Sequence, residues 1–144
     1  MNGCRDSREQ AALSRVGYRR YRSRLNDAEP VPERWRPALS AVIDRLAAED
    51  YMALERDGLL NDAYKPRPSE IARWITEYPA TLVPLPPEAW PLSYFGRVVV
   101  ETDTWWVVVP LWTAEAGRSD LSMEAYVMDD GNRVRMLVDN IHVL

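Results

Sequence analysis

The chain has 144 residues, one domain's worth at roughly 100–200 residues per domain. Its 47% hydrophobic and 28% charged residues exclude a disordered polymer and a fibrous repeat. A net charge of −4 argues against a general nucleic-acid binder, which needs a positive field to meet phosphate.

No apolar run approaches the roughly 18 residues that would span a bilayer. Cys4 is the single cysteine, so no disulfide framework and no cysteine-based zinc site can form within these residues. The first thirty residues lack the apolar core and cleavage site of a secretory signal, and the expected location is the cytoplasm. The charge is unevenly spread. Residues 1–30 hold seven arginines against four carboxylates, a local +3, which leaves −7 on the remainder. This pattern predicts an Arg-rich arm or helix with its linker over residues 1–32 and a single α+β domain over residues 33–144.

In the arm, Ser7-Arg8-Glu9-Gln10 has the form of a capping box, and Ala11, Ser14, Tyr18, Tyr21 and Leu25 recur at helical spacing. Glu29-Pro30-Val31-Pro32 reads as a linker. Pro37 suits a first helical turn, and Leu39, Val42, Ile43 and Leu46 then fall on one face of a helix that runs to Ala48. Tyr51 to Arg56 continue as a short helix that places Leu54 inward and stops at Gly58. Pro68-Ser69-Glu70 opens a third helix with the stripe Ile71, Trp74, Ile75 and Tyr78, ended by Pro79.

From residue 80 onward Val, Thr, Trp and Tyr become frequent and the period falls towards two. Thr81–Val83 is a short strand, and the prolines at 84, 86, 87 and 91 make an irregular crossing with one turn near Glu88–Trp90. Arg97–Glu101 pairs with Trp105–Thr113, and Leu121–Met128 pairs with Arg133–Val138 across Asp129-Asp130-Gly131-Asn132, a hairpin signal. Helices followed by an antiparallel meander define an α+β class, with the N-terminal helices on one face of a curved antiparallel sheet of about four to five strands.

Alternation assigns the faces. One set, with Val98, Val107, Val109, Leu111, Leu121, Met123, Ala125, Val127, Val134, Met136 and Val138, is apolar throughout and should receive the helices. The other set mixes aromatic and charged residues: Arg97, Trp106, Trp112, Glu124, Tyr126, Arg133, Arg135 and Leu137. Left in water, its aromatics would form a patch of the size that marks an interface. Two outcomes stay open for that face: the proline-rich segment 84–94 folds over it with Trp90 and Tyr94, or it meets a second copy, another protein or a ligand.

The polar segment Leu111–Leu121 contains Arg118, Ser119 and Asp120. Ser119 or Asp120 would satisfy turn amides, and Arg118 would pair with Glu115 or Asp120 or clamp a carboxylate. His142 is the only histidine, so any imidazole acid–base step depends on it. The alternation stumbles at Asp139-Asn140, where a bulge would bring the Asp139 carboxylate towards His142 for proton transfer. Walker-type and dinucleotide glycine loops are absent and no ligand spacing marks a metal site, so no cofactor and no metal are expected.

The runs Leu111-Trp112-Thr113-Ala114-Glu115-Ala116-Gly117-Arg118-Ser119-Asp120-Leu121 and Asp139-Asn140-Ile141-His142-Val143-Leu144 resemble an uncharacterised family of small bacterial proteins, over residues 37–144. The helix texture Ala47-Ala48-Glu49-Asp50-Tyr51 ahead of a curved antiparallel sheet is similar to cystatin-like and NTF2-like architecture. That similarity implies a cone able to hold a small ligand and an outer sheet face that dimerises. The expected function is a non-enzymatic binding or interaction module with Trp106, Trp112 and Tyr126 as its contact surface. Arg97, Arg133 and Arg135 would orient acidic partner groups, and a toxin-immunity role would suit such a module. The alternative is a small-molecule or acid–base pocket built from Asp120, His142, Arg118 and Tyr51.

Overall fold

The computed structural model describes residues 30–60, 66–98 and 103–143. Residues 1–29 of the predicted N-terminal arm and linker lie outside them, as does most of the predicted strand after Arg97, whereas Val31, expected in the linker, is buried in the core. A 3-10 turn at Glu33–Trp35 runs into α1 (Arg36–Ala47), followed by α2 (Tyr51–Arg56) and α3 (Pro68–Glu77). Five strands follow: β1 (Leu82–Val83), β2 (Tyr94–Arg97), β3 (Thr104–Thr113), β4 (Gly117–Asp129) and β5 (Val134–Val143). The α+β class and the antiparallel sheet are as expected.

Each helix forms where its apolar spacing and first-turn residues favour it. In α1 the residues at i, i+3, i+4 and i+7, namely Leu39, Val42, Ile43 and Leu46, are all buried, and Pro37 lies in the first turn. In α3 Ile71 and Ile75 are buried while Trp74 and Tyr78 pack at the margin of the core. The helices meet the sheet on the side of Val107, Val109, Leu111, Leu121, Met123, Ala125, Val127, Met136, Val138 and Ile141, and these residues form one core with them.

The strand order is β1-β3-β4-β5, with β2 also paired to β3. β1 pairs with Trp112 and Thr113, and β2 pairs with Trp105 to Val108, so the two short strands share one edge of β3. Between them the chain leaves the sheet as a 3-10 turn, Pro87–Leu92. Pro110, which has no N–H to give to a ladder, stands opposite the break between them. The far edge of β5 is capped at one point, where the Val138 N–H donates to the Leu59 carbonyl at 2.7 Å.

The junction between helices and sheet is an aromatic cluster anchored by a carboxylate. Trp35 packs edge-on to Phe95 (5.2 Å between centroids) and tilted on Trp105 (5.3 Å). Its indole N–H donates to Asp129 Oδ2 at 2.8 Å, across 94 residues of chain. Asp129 Oδ1 meets Arg34 at 2.9 Å and accepts the Gly131 N–H at 2.9 Å. Asp130 Oδ1 accepts the N–H groups of Asn132 and Arg133, and Gly131 adopts φ +92, so the Asp-Asp-Gly-Asn turn closes as its residue types predict. The Trp35 hydrogen bond holds the Asp129 carboxyl below its ordinary value, with Gly131 and Arg34 assisting and burial opposing.

A hydrogen bond to a charged group contributes roughly 1.5–3 kcal/mol, so Trp35→Phe should destabilise the fold by about that much at neutral pH. Because the folded-state pKa of Asp129 is depressed, its contribution is complete above the ordinary aspartate value of 3.8 and is lost as pH falls through the folded value. Urea unfolding of both proteins should therefore show a stability gap at pH 7 that closes in strong acid. A gap that does not change with pH would show that the carboxylate plays no part.

Candidate functional site

The site is the sheet face turned away from the helices. Register places its residues in pairs: Tyr94 with Val108 and Gly96 with Trp106 across β2–β3, then Trp106 with Tyr126, Val108 with Glu124, Pro110 with Ser122 and Trp112 with Arg118 across β3–β4. Across β4–β5 follow Ser122 with His142, Glu124 with Asn140, Tyr126 with Leu137 and Met128 with Arg135.

Trp106 is not a contact residue in waiting. It is 8% exposed, because its indole lies flat across β2 at Gly96 and meets Tyr94 edge-on at 6.0 Å. A Cβ on Gly96 would stand 2.5 Å from the indole Cζ2, so only glycine leaves room for this arrangement. Of the segment expected to cover the face, Tyr94 does so and Trp90 does not. Trp90 turns to the helix side and joins the core, with the Arg36 guanidinium 5.5 Å above its ring. Val108, Pro110 and Ser122 are buried too, so the centre of the face is closed.

Arg97 also departs from expectation. Pairing starts at Tyr94, and Arg97 falls opposite Trp105. It therefore sits with Phe95 on the helix side, its guanidinium 5.6 Å over the Trp105 ring. Alternation carried back from Val98 fails because Val98 lies beyond the strand, its N–H donating to the Thr104 carbonyl.

Two irregularities set the remaining geometry. Opposite Leu111, β4 carries extra residues between Arg118 and Ser122. The buried Ser119 hydroxyl accepts the Leu121 N–H at 3.2 Å and donates to the Leu111 carbonyl at 2.8 Å, which satisfies the backbone groups that this bulge would strand. Alternation on β3 passes through undisturbed, so Trp112 stays outward and half-buried, beside the exposed Arg118. Glu115 does not pair with Arg118. Its carboxylate accepts the Thr81 N–H at 2.8 Å, which ties the β3–β4 turn to β1 and lowers its pKa.

The second bulge is at Asp139, where Glu124 faces Asn140 and Ala125 faces Val138. Core positions on β5 are even-numbered up to Val138 and odd at Ile141, so the extra residue turns His142 outward. There Nε2 lies 2.9 Å from Glu124 Oε1, with the two side chains 34% and 21% exposed. The contact is an ion pair when the imidazole is protonated. It pushes the imidazole pKa above 6.5; partial burial opposes the rise, and the charges of Glu124 and Asp139 reinforce it. The expected bulge is present, but Glu124 and not Asp139 takes the close contact. Nothing in the linear sequence pairs Glu124 with His142, because that pairing depends on which strand carries the extra residue.

The residues of the predicted pocket do not converge. Tyr51 packs against the core on the helix side, where burial raises its pKa. Asp120 is exposed, its N–H directed at the Tyr78 hydroxyl of the α3 end at 3.4 Å. Arg118 is exposed beside Trp112, and His142 lies on the opposite side of the sheet from Tyr51. Arg133 and Arg135 are exposed near the β4–β5 hairpin. Among the described residues no group of three His, Cys, Asp or Glu side chains is placed to hold a metal, and no helix is long and apolar enough to cross a membrane.

Fold and face together define an α+β domain whose curved antiparallel sheet is packed by helices on one side and presents a mixed aromatic and charged surface on the other. The chain belongs to a family described as a domain of unknown function, DUF7668, whose profile matches residues 43–144. No curated protein and no solved structure matches it.

Gly96→Ala tests how the face is closed. Its methyl must displace a rigid indole held between Tyr94 and the strands, and overpacking of this kind costs about 1–3 kcal/mol. The unfolding midpoint should fall and Trp106 should become open to an aqueous fluorescence quencher. An unchanged midpoint and unchanged quenching would refute the close packing.

Proposed function

We propose that this domain is a non-enzymatic interaction module that pairs face to face with a second copy of itself through the outward side of its sheet. The observation that carries the reading is the distribution of what stays open on that face. Trp106, Val108, Pro110 and Ser122 are buried, whereas Trp112, Tyr126, Met128 and Leu137 keep part of their surface in water. The open residues lie at two ends. Trp112 is six residues along β3 from Trp106, the partner of Tyr126, a separation of about 20 Å at roughly 3.3 Å per residue.

Each end combines one aromatic ring with one exposed arginine: Trp112 with Arg118, and Tyr126 with Arg135 across the neighbouring Met128 position. A copy laid across the face with its strands reversed would set the Arg118 guanidinium over Tyr126 and Arg135 over Trp112. Each of these contacts would form twice, related by the twofold axis. Arginine over tryptophan is a contact this chain already makes twice internally, at Arg36–Trp90 and Arg97–Trp105, and it is favourable when partly desolvated. The arginines would then meet π-faces instead of one another.

Sedimentation equilibrium of the full chain tests this. The wild type should sediment as a dimer at micromolar concentration, and Trp112→Arg and Tyr126→Arg should each raise Kd at least about tenfold, as loss of an aromatic hot spot does, with circular dichroism unchanged. A wild type that remains monomeric at every concentration, or a dimer as tight in both variants, overturns the reading.

A further inference from the structure

We infer that the Glu124–His142 pair is a pH-dependent clasp that fastens the last four residues of β5 onto β4. The segment needs a fastener. Beyond the bulge at Asp139, only Asn140 to Val143 remain to pair with Leu121 to Glu124. Val143 is 56% exposed, and the backbone hydrogen bond that caps the outer edge of β5, donated by the Val138 N–H to the Leu59 carbonyl, lies before the bulge. Ile141, 2% exposed, is the residue of this segment that belongs to the core. On the outward side the 2.9 Å contact between His142 and Glu124 joins the two strands diagonally, two register positions on from the directly opposed Ser122.

Among the described residues, the charged groups acting on the imidazole are Glu124 from β4 and Asp139 from β5 itself, both carboxylates. Both favour the imidazolium. Below the folded-state pKa of the imidazole, while the carboxylates remain ionised, the cation faces Glu124, the Asp139 charge adds to the attraction and the strand end is held. Once the proton leaves, the attraction is gone and the partly buried Glu124 carboxylate has lost its counter-charge. Because the folded-state pKa of the histidine is raised, the stabilisation is complete below the ordinary value of 6.5 and is lost as pH rises through the folded value. The clasp therefore opens towards alkaline pH and would free the end of an edge strand while the remaining core stays intact. This inference stands apart from self-pairing and holds for a monomer as well as for a dimer.

The test is amide hydrogen exchange by NMR on the full chain, expressed as protection factors to remove the intrinsic pH dependence of exchange, alongside titration of the His142 ring protons. Protection of the Asn140–Val143 amides that pair with β4 should fall several-fold as pH rises through the imidazole titration, while the amides of β3 stay constant. In Glu124→Gln, which keeps the shape and removes the charge, the titration midpoint should drop and the fall in protection should disappear. His142→Gln should give a flat profile and serves if Glu124→Gln does not fold. A wild-type midpoint at or below 6.5, a flat wild-type profile, or the same fall in a folded variant overturns the inference.

Discussion

The hydrogen bond from the Trp35 indole to Asp129 joins the two halves of this fold. A buried indole must find an acceptor for its N–H, and a carboxylate that is only 12% exposed must find donors. Each meets the other's need across 94 residues. Because Asp129 also accepts from the turn that joins β4 to β5, and Trp35 also packs on Phe95 of β2 and Trp105 of β3, one contact ties together the entry of the helices, the end of the β4–β5 hairpin and the β2–β3 pair. The sheet is thereby held at a fixed distance from the helices, and its opposite face becomes a surface whose shape is decided locally.

Three local events decide it. A glycine at 96 lets Trp106 lie down and close the middle of the face. A bulge in β4, satisfied by the Ser119 hydroxyl, leaves Trp112 outward. A bulge at Asp139 turns His142 outward beside Glu124. The result is a surface with an aromatic ring and an arginine near each end and a carboxylate–imidazole pair between them. Such an arrangement suits twofold pairing better than a ligand cone, because the polar groups are spread along a face and do not converge on a point.

Much of the architecture was legible in the residues. The helices announce themselves by their apolar stripes and prolines, the β4–β5 hairpin by Asp-Gly, and the core side of the sheet by strict alternation from Val107 to Val138. The outward face was legible as mixed in character but not as a surface. Whether Trp106 is open or closed depends on the residue across the strand, which alternation along one strand does not identify. The side taken by Arg97 is not legible in the sequence, because the parity of β2 depends on where pairing begins. The Glu124–His142 contact was hidden because a bulge resets parity at a position that only the register reveals, although the break in pattern at Asp139 marked where to look.

Face-to-face pairing with reversed strands predicts a specific proximity, Trp112 of one copy near Tyr126 of the other, and thiol cross-linking reads it directly. In a Cys4→Ser background, a chain carrying Ala116→Cys, in the exposed turn next to Trp112, is mixed with a chain carrying Asn132→Cys, in the exposed turn beyond Tyr126, and treated with a bis-maleimide, so that both aromatic contacts stay intact. The mixed cross-link should form in preference to either like pair and should be suppressed by excess wild-type chain. Cross-linking that joins only like positions, or none above the level of a Met52→Cys control on the helix side, would contradict it.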